Sequence, residues 1–89
     1  MEIKKRYNDL ILLDDNKNEI GNLAFSIIED KLIVTRPYIK PEVRDKGLAE
    51  ILMQEAIEFA KNKKLKIAST CYYSIKYIEN HKSEVKKLI

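Results

Sequence analysis

The chain has 89 residues, 45 % of them apolar, with 17 basic and 14 acidic side chains for a net charge of +3. That length supports a single domain, residues 1–89, because so short a chain buries only roughly 60–65 % of its surface and builds one core. The longest apolar run, Leu10–Leu13, is far short of the ~20 residues of a membrane span, and the lone Cys71 excludes an internal disulfide framework and a cysteine-rich zinc site.

Near the N-terminus Lys4, Lys5 and Arg6 precede Asn8 and Asp9 rather than an apolar stretch. A secretory signal is thereby excluded and a cytoplasmic location expected. Ile3–Leu13 reads as a first strand, with Leu10–Leu13 its most buried part, and Asp14–Asn18 is a polar turn. In the second strand, Ile20–Ile28, Leu23, Phe25 and Ile27 alternate with Asn22, Ala24 and Ser26, which predicts one buried face. Glu29-Asp30-Lys31 turns into a β-branched third strand, Leu32–Ile39, completing an antiparallel meander.

The period changes after Pro41. From Gly47 to Lys63 the apolar residues Leu48, Ile51, Leu52, Ala56, Phe59 and Ala60 form a helical stripe, opposite Glu50, Gln54, Glu58 and Lys61. Lys66–Thr70 is a fourth strand, expected parallel to the third because a helix intervenes. Ser74–Asn80 and Ser83–Ile89 read as two short closing helices, the second capped by Ser83 with Glu84 in its first turn. The order is β-β-β-α-β-α-α, an α+β fold with a mixed sheet. The basic stretch Lys61–Lys66 sits where cations complement a helix C-terminus and lacks stacking aromatics, so it is a weak signal for nucleic acid.

The chemistry concentrates in Ile39–Ala49, where a strand, a short loop and an amphipathic helix follow one another. The N–H groups of a helix start have no internal partners and the helix dipole adds partial positive charge, so this is a place for phosphate. Gly47 lets the backbone approach a diphosphate without an intervening Cβ, and Arg44 and Lys46 add charge.

On these residues the sequence resembles a known family. Arg44-x-x-Gly47-x-Ala49 matches the Arg/Gln-x-x-Gly-x-Gly/Ala motif of the GNAT (acyl-CoA N-acyltransferase) superfamily, between a strand and a helix as in that family. Val34–Leu88 is similar to a branch of small, single-domain N-acetyltransferases, in Pro41-Glu42-Val43-Arg44, Cys71-Tyr72-Tyr73, and Tyr77 with His81. The chain departs from that branch in carrying Arg36-Pro37 where His-Thr is usual, and Asp45 where glycine commonly follows the motif arginine. Asp45 either weakens a phosphate site or caps the helix.

The resemblance implies a compact GNAT-like fold, acetyl-CoA as cosubstrate and an amine acceptor, either a small molecule or a protein. It places the cofactor on Ile39, Val43, Arg44, Asp45, Lys46, Gly47, Leu48 and Ala49. It also implies a V-shaped opening between the third and fourth strands, where the pantetheine arm lies like an added strand. Pro37 suits such a place, because it cannot donate to a ladder. No resident metal is expected, since a lone histidine and a lone cysteine make no metal site, and the chain is taken as a monomer or weak dimer. The helices that usually wall the acceptor side are missing from the N-terminal part.

Three residues are candidates for the acetyl transfer itself. Cys71 precedes a helix, where a thiol gains nucleophilicity; the other reading is a small buried hydrophobe. Among Tyr72, Tyr73 and Tyr77, Tyr73 is the candidate for protonating the leaving thiolate, against a packing role. His81 serves as base if it folds back toward Cys71 and otherwise lies on the surface of a terminal helix.

Overall fold

The computed structural model describes residues 1–86 and Leu88. Its sheet has five strands in the order β1-β2-β3-β4-β5. β1 (Glu2–Lys5), β2 (Asp9–Leu13), β3 (Glu19–Ile28) and β4 (Lys31–Ile39) form an antiparallel meander. α1 (Leu48–Asn62) then crosses over, and β5 (Lys66–Ser69) lies parallel to β4. α2 (Tyr72–Asn80) and α3 (Lys82–Val85) follow. The mixed sheet of an α+β fold is the expected one.

One strand was expected over Ile3–Leu13, and there are two. Arg6-Tyr7-Asn8 turns the chain, with the Arg6 N–H donating to the Asp9 carbonyl at 2.8 Å. The Arg6 guanidinium grips the Asp9 carboxylate at 2.8 and 2.7 Å, and the Asn22 amide donates to it from β3 at 3.0 Å. Asp9 is only 8 % exposed, and these charge-assisted bonds are what make burying it tolerable. The turn signal was present in Asn8-Asp9, two residues that favour turns, but the apolar run after them masked it.

Pairing places Leu10 opposite Leu23, Phe25 opposite Val34 and Leu32 opposite Ile67, so these side chains share one face of the sheet. α1 covers that face with Leu48, Leu52, Met53, Ala56, Ile57 and Ala60. Leu52, Met53 and Ile57 are fully buried, each contributing about 1.5–3 kcal/mol by area removed from water. The helical stripe is therefore rotated from the expected one: Ile51 is largely exposed, Phe59 is half-buried against Phe25, and Met53 and Ile57 take the inner row. Ile27 also differs, being exposed toward the end of β3, where its expected partners Leu23 and Phe25 are buried.

The closing helices begin earlier than the sequence pattern places them. α2 starts at Tyr72 with Cys71 as its N-cap residue, and α3 starts at Lys82 with His81, not Ser83, at the N-cap. The expected second helix runs on to Ile89, and Lys87 and Ile89 lie outside the described residues.

Two features of β4 prepare the site. Ala24 pairs with Arg36 while Phe25 pairs with Val34, which leaves Thr35 as an extra residue. Such a bulge bends its strand and raises its twist. β5 pairs only with Lys31–Val34, so Thr35–Ile39 continue past the end of their neighbour.

Candidate functional site

A cleft of about 460 Å³ opens where β4 outruns β5. Its walls are the end of β4, the loop after it and the first turns of α1 and α2. The volume falls within the roughly 300–1,000 Å³ of small-molecule sites.

The loop is built from local rules. Lys40 extends the strand, and Pro41–Val43 make a single 3-10 turn with proline in its first positions, where a missing N–H costs nothing. Asp45 and Gly47 both have positive φ, +66° and +72°, a left-handed conformation that glycine adopts without penalty. Gly47 is the N-cap residue of α1 and has no side chain to close the helix start. Among the described residues no other side chain bonds to the first N–H groups of α1 either. Asp45 therefore does not cap the helix; it stands in the cleft wall.

Arg44 is fixed by its own strand. Its Nε donates to the Ile39 carbonyl at 2.8 Å, and its guanidinium lies 5.7 Å from the centre of the Tyr38 ring. Among the described residues it forms no ion pair, so its charge stays available to the cleft. Gly21, across from Ile39 on β3, lets β4 come this close: a Cβ there would sit 2.7 Å from the Tyr38 carbonyl oxygen and from Ile39 Cδ1.

Behind Cys71, outside the cleft lining, one hydroxyl joins three elements. Ser69, the last residue of β5, donates from Oγ to the Val34 carbonyl at 2.8 Å and accepts from the Cys71 N–H at 3.0 Å. Cys71 is half-buried, and it lines the cleft together with Tyr73. Burial, with the nearby Glu50 carboxylate second, raises the Tyr73 hydroxyl above the ordinary tyrosine range. The group therefore stays protonated and can act as a donor.

Most of the residues singled out in the sequence meet here. Ile39, Val43, Arg44, Asp45, Gly47, Leu48 and Ala49 line the cleft with Cys71 and Tyr73; Lys46 does not. The structure does not bring His81 to it. His81 caps the far end of α2, ten residues or on the order of 15 Å from Cys71. Its ring stacks on Tyr77 at 3.9 Å, with Nδ1 2.8 Å from the Tyr77 carbonyl oxygen. Tyr77 is buried and its hydroxyl accepts a 2.5 Å bond from Gln54 of α1, so this end of the helix is a packing cluster. The sequence reading missed Ser69, Tyr38 and Glu50. Only Glu50, one turn beyond the motif arginine and glycine, stood where a helical spacing could have marked it.

Among the described residues no cluster of ligating side chains could hold a metal ion, and no helix is long and apolar enough to cross a membrane. The family profile described as GCN5-related N-acetyl-transferase matches residues 10–88. Among solved structures, the chain is similar to a GCN5-like protein from Staphylococcus aureus, with 20 % identity over 98 % of this chain and 85 % of that one and a TM-score of 0.76. It is also similar to the ribosomal-protein-S18-alanine N-acetyltransferase from Escherichia coli, at 15 % identity over 86 % of this chain and 52 % of that one, TM-score 0.69. The PaiA N-acetyltransferase from Thermoplasma acidophilum, solved with coenzyme A, matches at 24 % identity over 84 % and 48 %, TM-score 0.66. The chain thus spans about half the length of the last two. No curated protein matches it.

Proposed function

Because this chain belongs to the GCN5-related N-acetyltransferase family, we propose that it binds acetyl-CoA in the cleft between β4 and β5 and transfers the acetyl group to an amine. The observation that carries the reading is a helix start left open by Gly47 inside a cleft whose other end holds Cys71 and Tyr73. The diphosphate of the cofactor would take the free N–H groups of α1 and the Arg44 charge. The pantetheine arm would run along Arg36–Ile39, where β4 has no β5 neighbour.

In this reading the thioester lies beside α2. A neutral amine attacks its carbonyl carbon, the carbon–sulfur bond breaks, and the departing CoA thiolate takes the Tyr73 proton. The acylated amine loses its extra proton to water, and Tyr73 regains one from solvent. A catalytic acid is worth on the order of 10²–10⁴ in rate. Cys71 stands close enough along the chain to accept the acetyl group first, in which case the amine attacks a Cys71 thioester. His81 has no part in either route.

A titration with acetyl-CoA, followed by backbone amide shifts, tests the site. Shifts concentrated at Arg44–Ala49 and Arg36–Ile39 are expected, and silence there removes the cofactor assignment. Mass spectrometry then reads the chemistry over a panel of amines: CoA release and acetylated amine are expected, with an acetyl adduct on Cys71 marking the two-step route.

A second reading, an acyl-CoA-binding module without transfer, is favoured by one observation. Arg36-Pro37 stands in the cleft wall where the similar small N-acetyltransferases carry His-Thr, and the far end of the cleft offers only Cys71 and Tyr73 for transfer. Binding with no acetyl transfer to any amine, and no adduct on Cys71, selects this module.

A further inference from the structure

We infer that the Ser69 hydroxyl is the positioning residue of the site: it fixes where β4 and β5 part and holds the start of α2, with Cys71 and Tyr73, at the apex of the cleft. The inference rests on the acetyl-transfer reading for its rate effects and on geometry alone for its structural ones. Val34 is the last residue of β4 that β5 pairs with, and Thr35, the bulge, comes next. At that point the ladder ends and a side chain takes over. The Val34 carbonyl accepts from Ser69 Oγ at 2.8 Å and from the Thr70 N–H at 3.3 Å, and the same Oγ accepts from the Cys71 N–H at 3.0 Å.

A hydroxyl is suited to this because it can donate and accept at once, and its rotor turns to suit both partners. Alanine can do neither, and a thiol does both weakly. If the hydroxyl is lost, the Val34 carbonyl keeps its bond from Thr70, so the sheet stays paired. The Cys71 N–H, by contrast, loses its partner. Cys71 carries extended backbone angles, φ −93° and ψ 131°, and its carbonyl accepts the Ile75 N–H. Ser69 therefore sets the direction in which α2 leaves the sheet, and with it the distance from the reacting groups to a thioester lying along β4.

Ser69→Ala tests this in the full chain, with Ser69→Cys to hold the volume and Ser69→Thr to restore the hydroxyl. Hydrogen exchange needs no ligand: the Cys71 amide is expected to exchange about tenfold faster in Ser69→Ala, with Ile75 unchanged and Ser69→Thr close to wild type. In turnover, kcat is expected to fall about 10- to 100-fold with KM within about twofold, because loss of alignment acts on the chemical step. Ser69→Thr should recover most of it. An unchanged Cys71 exchange rate, or a Ser69→Thr variant as poor as Ser69→Ala, overturns the inference. Were Ser69→Ala not to fold, Ser69→Cys is read in its place by the same two criteria. If wild type binds no acetyl-CoA, the functional reading fails, while the exchange arm still decides whether Ser69 holds Cys71.

Discussion

Gly47 offers a way to separate the backbone strain of the helix start from its use by a ligand. Its φ of +72° is left-handed, and a Cβ built there meets no atom within 4 Å. Gly47→Ala therefore meets no clash in the folded chain and pays only for conformation, about 1–2 kcal/mol. Asparagine tolerates the left-handed region better, so Gly47→Asn should lose a smaller fraction of that stability. Both variants place a side chain in the space through which, in the proposed reading, a diphosphate would reach the first N–H groups of α1. The expectation is that urea unfolding ranks wild type above Asn above Ala with a common slope. Acetyl-CoA affinity should fall by at least about tenfold, or 1.4 kcal/mol, in both. Calorimetric titration reads the second quantity. If affinity follows stability, with Asn binding almost as well as glycine, the glycine serves the fold and not the ligand. If both variants bind like wild type, the diphosphate lies elsewhere.

Other residues make separate claims. Gly21→Ala forces a Cβ to 2.7 Å from the Tyr38 carbonyl oxygen, and should cost about 1–3 kcal/mol in urea unfolding while shifting the amides of Tyr38 and Ile39; an unchanged midpoint shows that the close approach is not needed. Tyr73→Phe removes the proton donor, so kcat should drop by about 10² with KM preserved, and full activity excludes it as the acid. The Arg6 guanidinium holds the Asp9 carboxyl below its ordinary range, so the ionised carboxylate stabilises the fold at pH above the unfolded value of about 3.9. That stability is lost as pH falls through the lower folded value, so Asp9→Asn should flatten the acid limb of a stability–pH curve. An acid limb identical to wild type locates the sensitivity in other carboxylates.

Much of this fold was legible because period and punctuation agree. The β-branched Leu32–Ile39, the break at Pro41, and the helical stripe after Gly47 each obey one local rule, and the observed α1 and β4 bounds lie within one residue of those expected. The misses have a common physical origin. Arg6-Tyr7-Asn8 became a turn because Arg6, three residues away, and Asn22, across the sheet on β3, satisfy a buried Asp9 carboxylate, and the second of these partners lies in no short window along the chain. Ile51 and Met53 exchanged faces because a helix lying across a twisted sheet buries a broad band, and the phase of that band is set by the sheet. His81 stayed with Tyr77 because ring stacking and a hydrogen bond hold the end of α2, as their four-residue spacing allows, whereas a return toward Cys71 would have required breaking the helix.

The same contrast explains what could be read of the site. The loop proposed to hold the cofactor is continuous in sequence, so Arg44 and Gly47 announce it through the strand and helix on either side. The proposed transfer end draws on β4, β5 and α2, which the Ser69 hydroxyl joins, and no local pattern in the sequence marks that serine. What distinguishes Ser69 is that β5 ends at it, opposite Val34 and next to the bulge at Thr35. Two strands that part must leave unpaired backbone groups, and buried ones need partners. Along Thr35–Ile39 those groups can be met by an extended ligand, and behind Cys71 by one side chain that reaches both strand and helix. The cleft and the clamped start of α2 thus share one origin, the point after Val34 where β5 stops and β4 runs on.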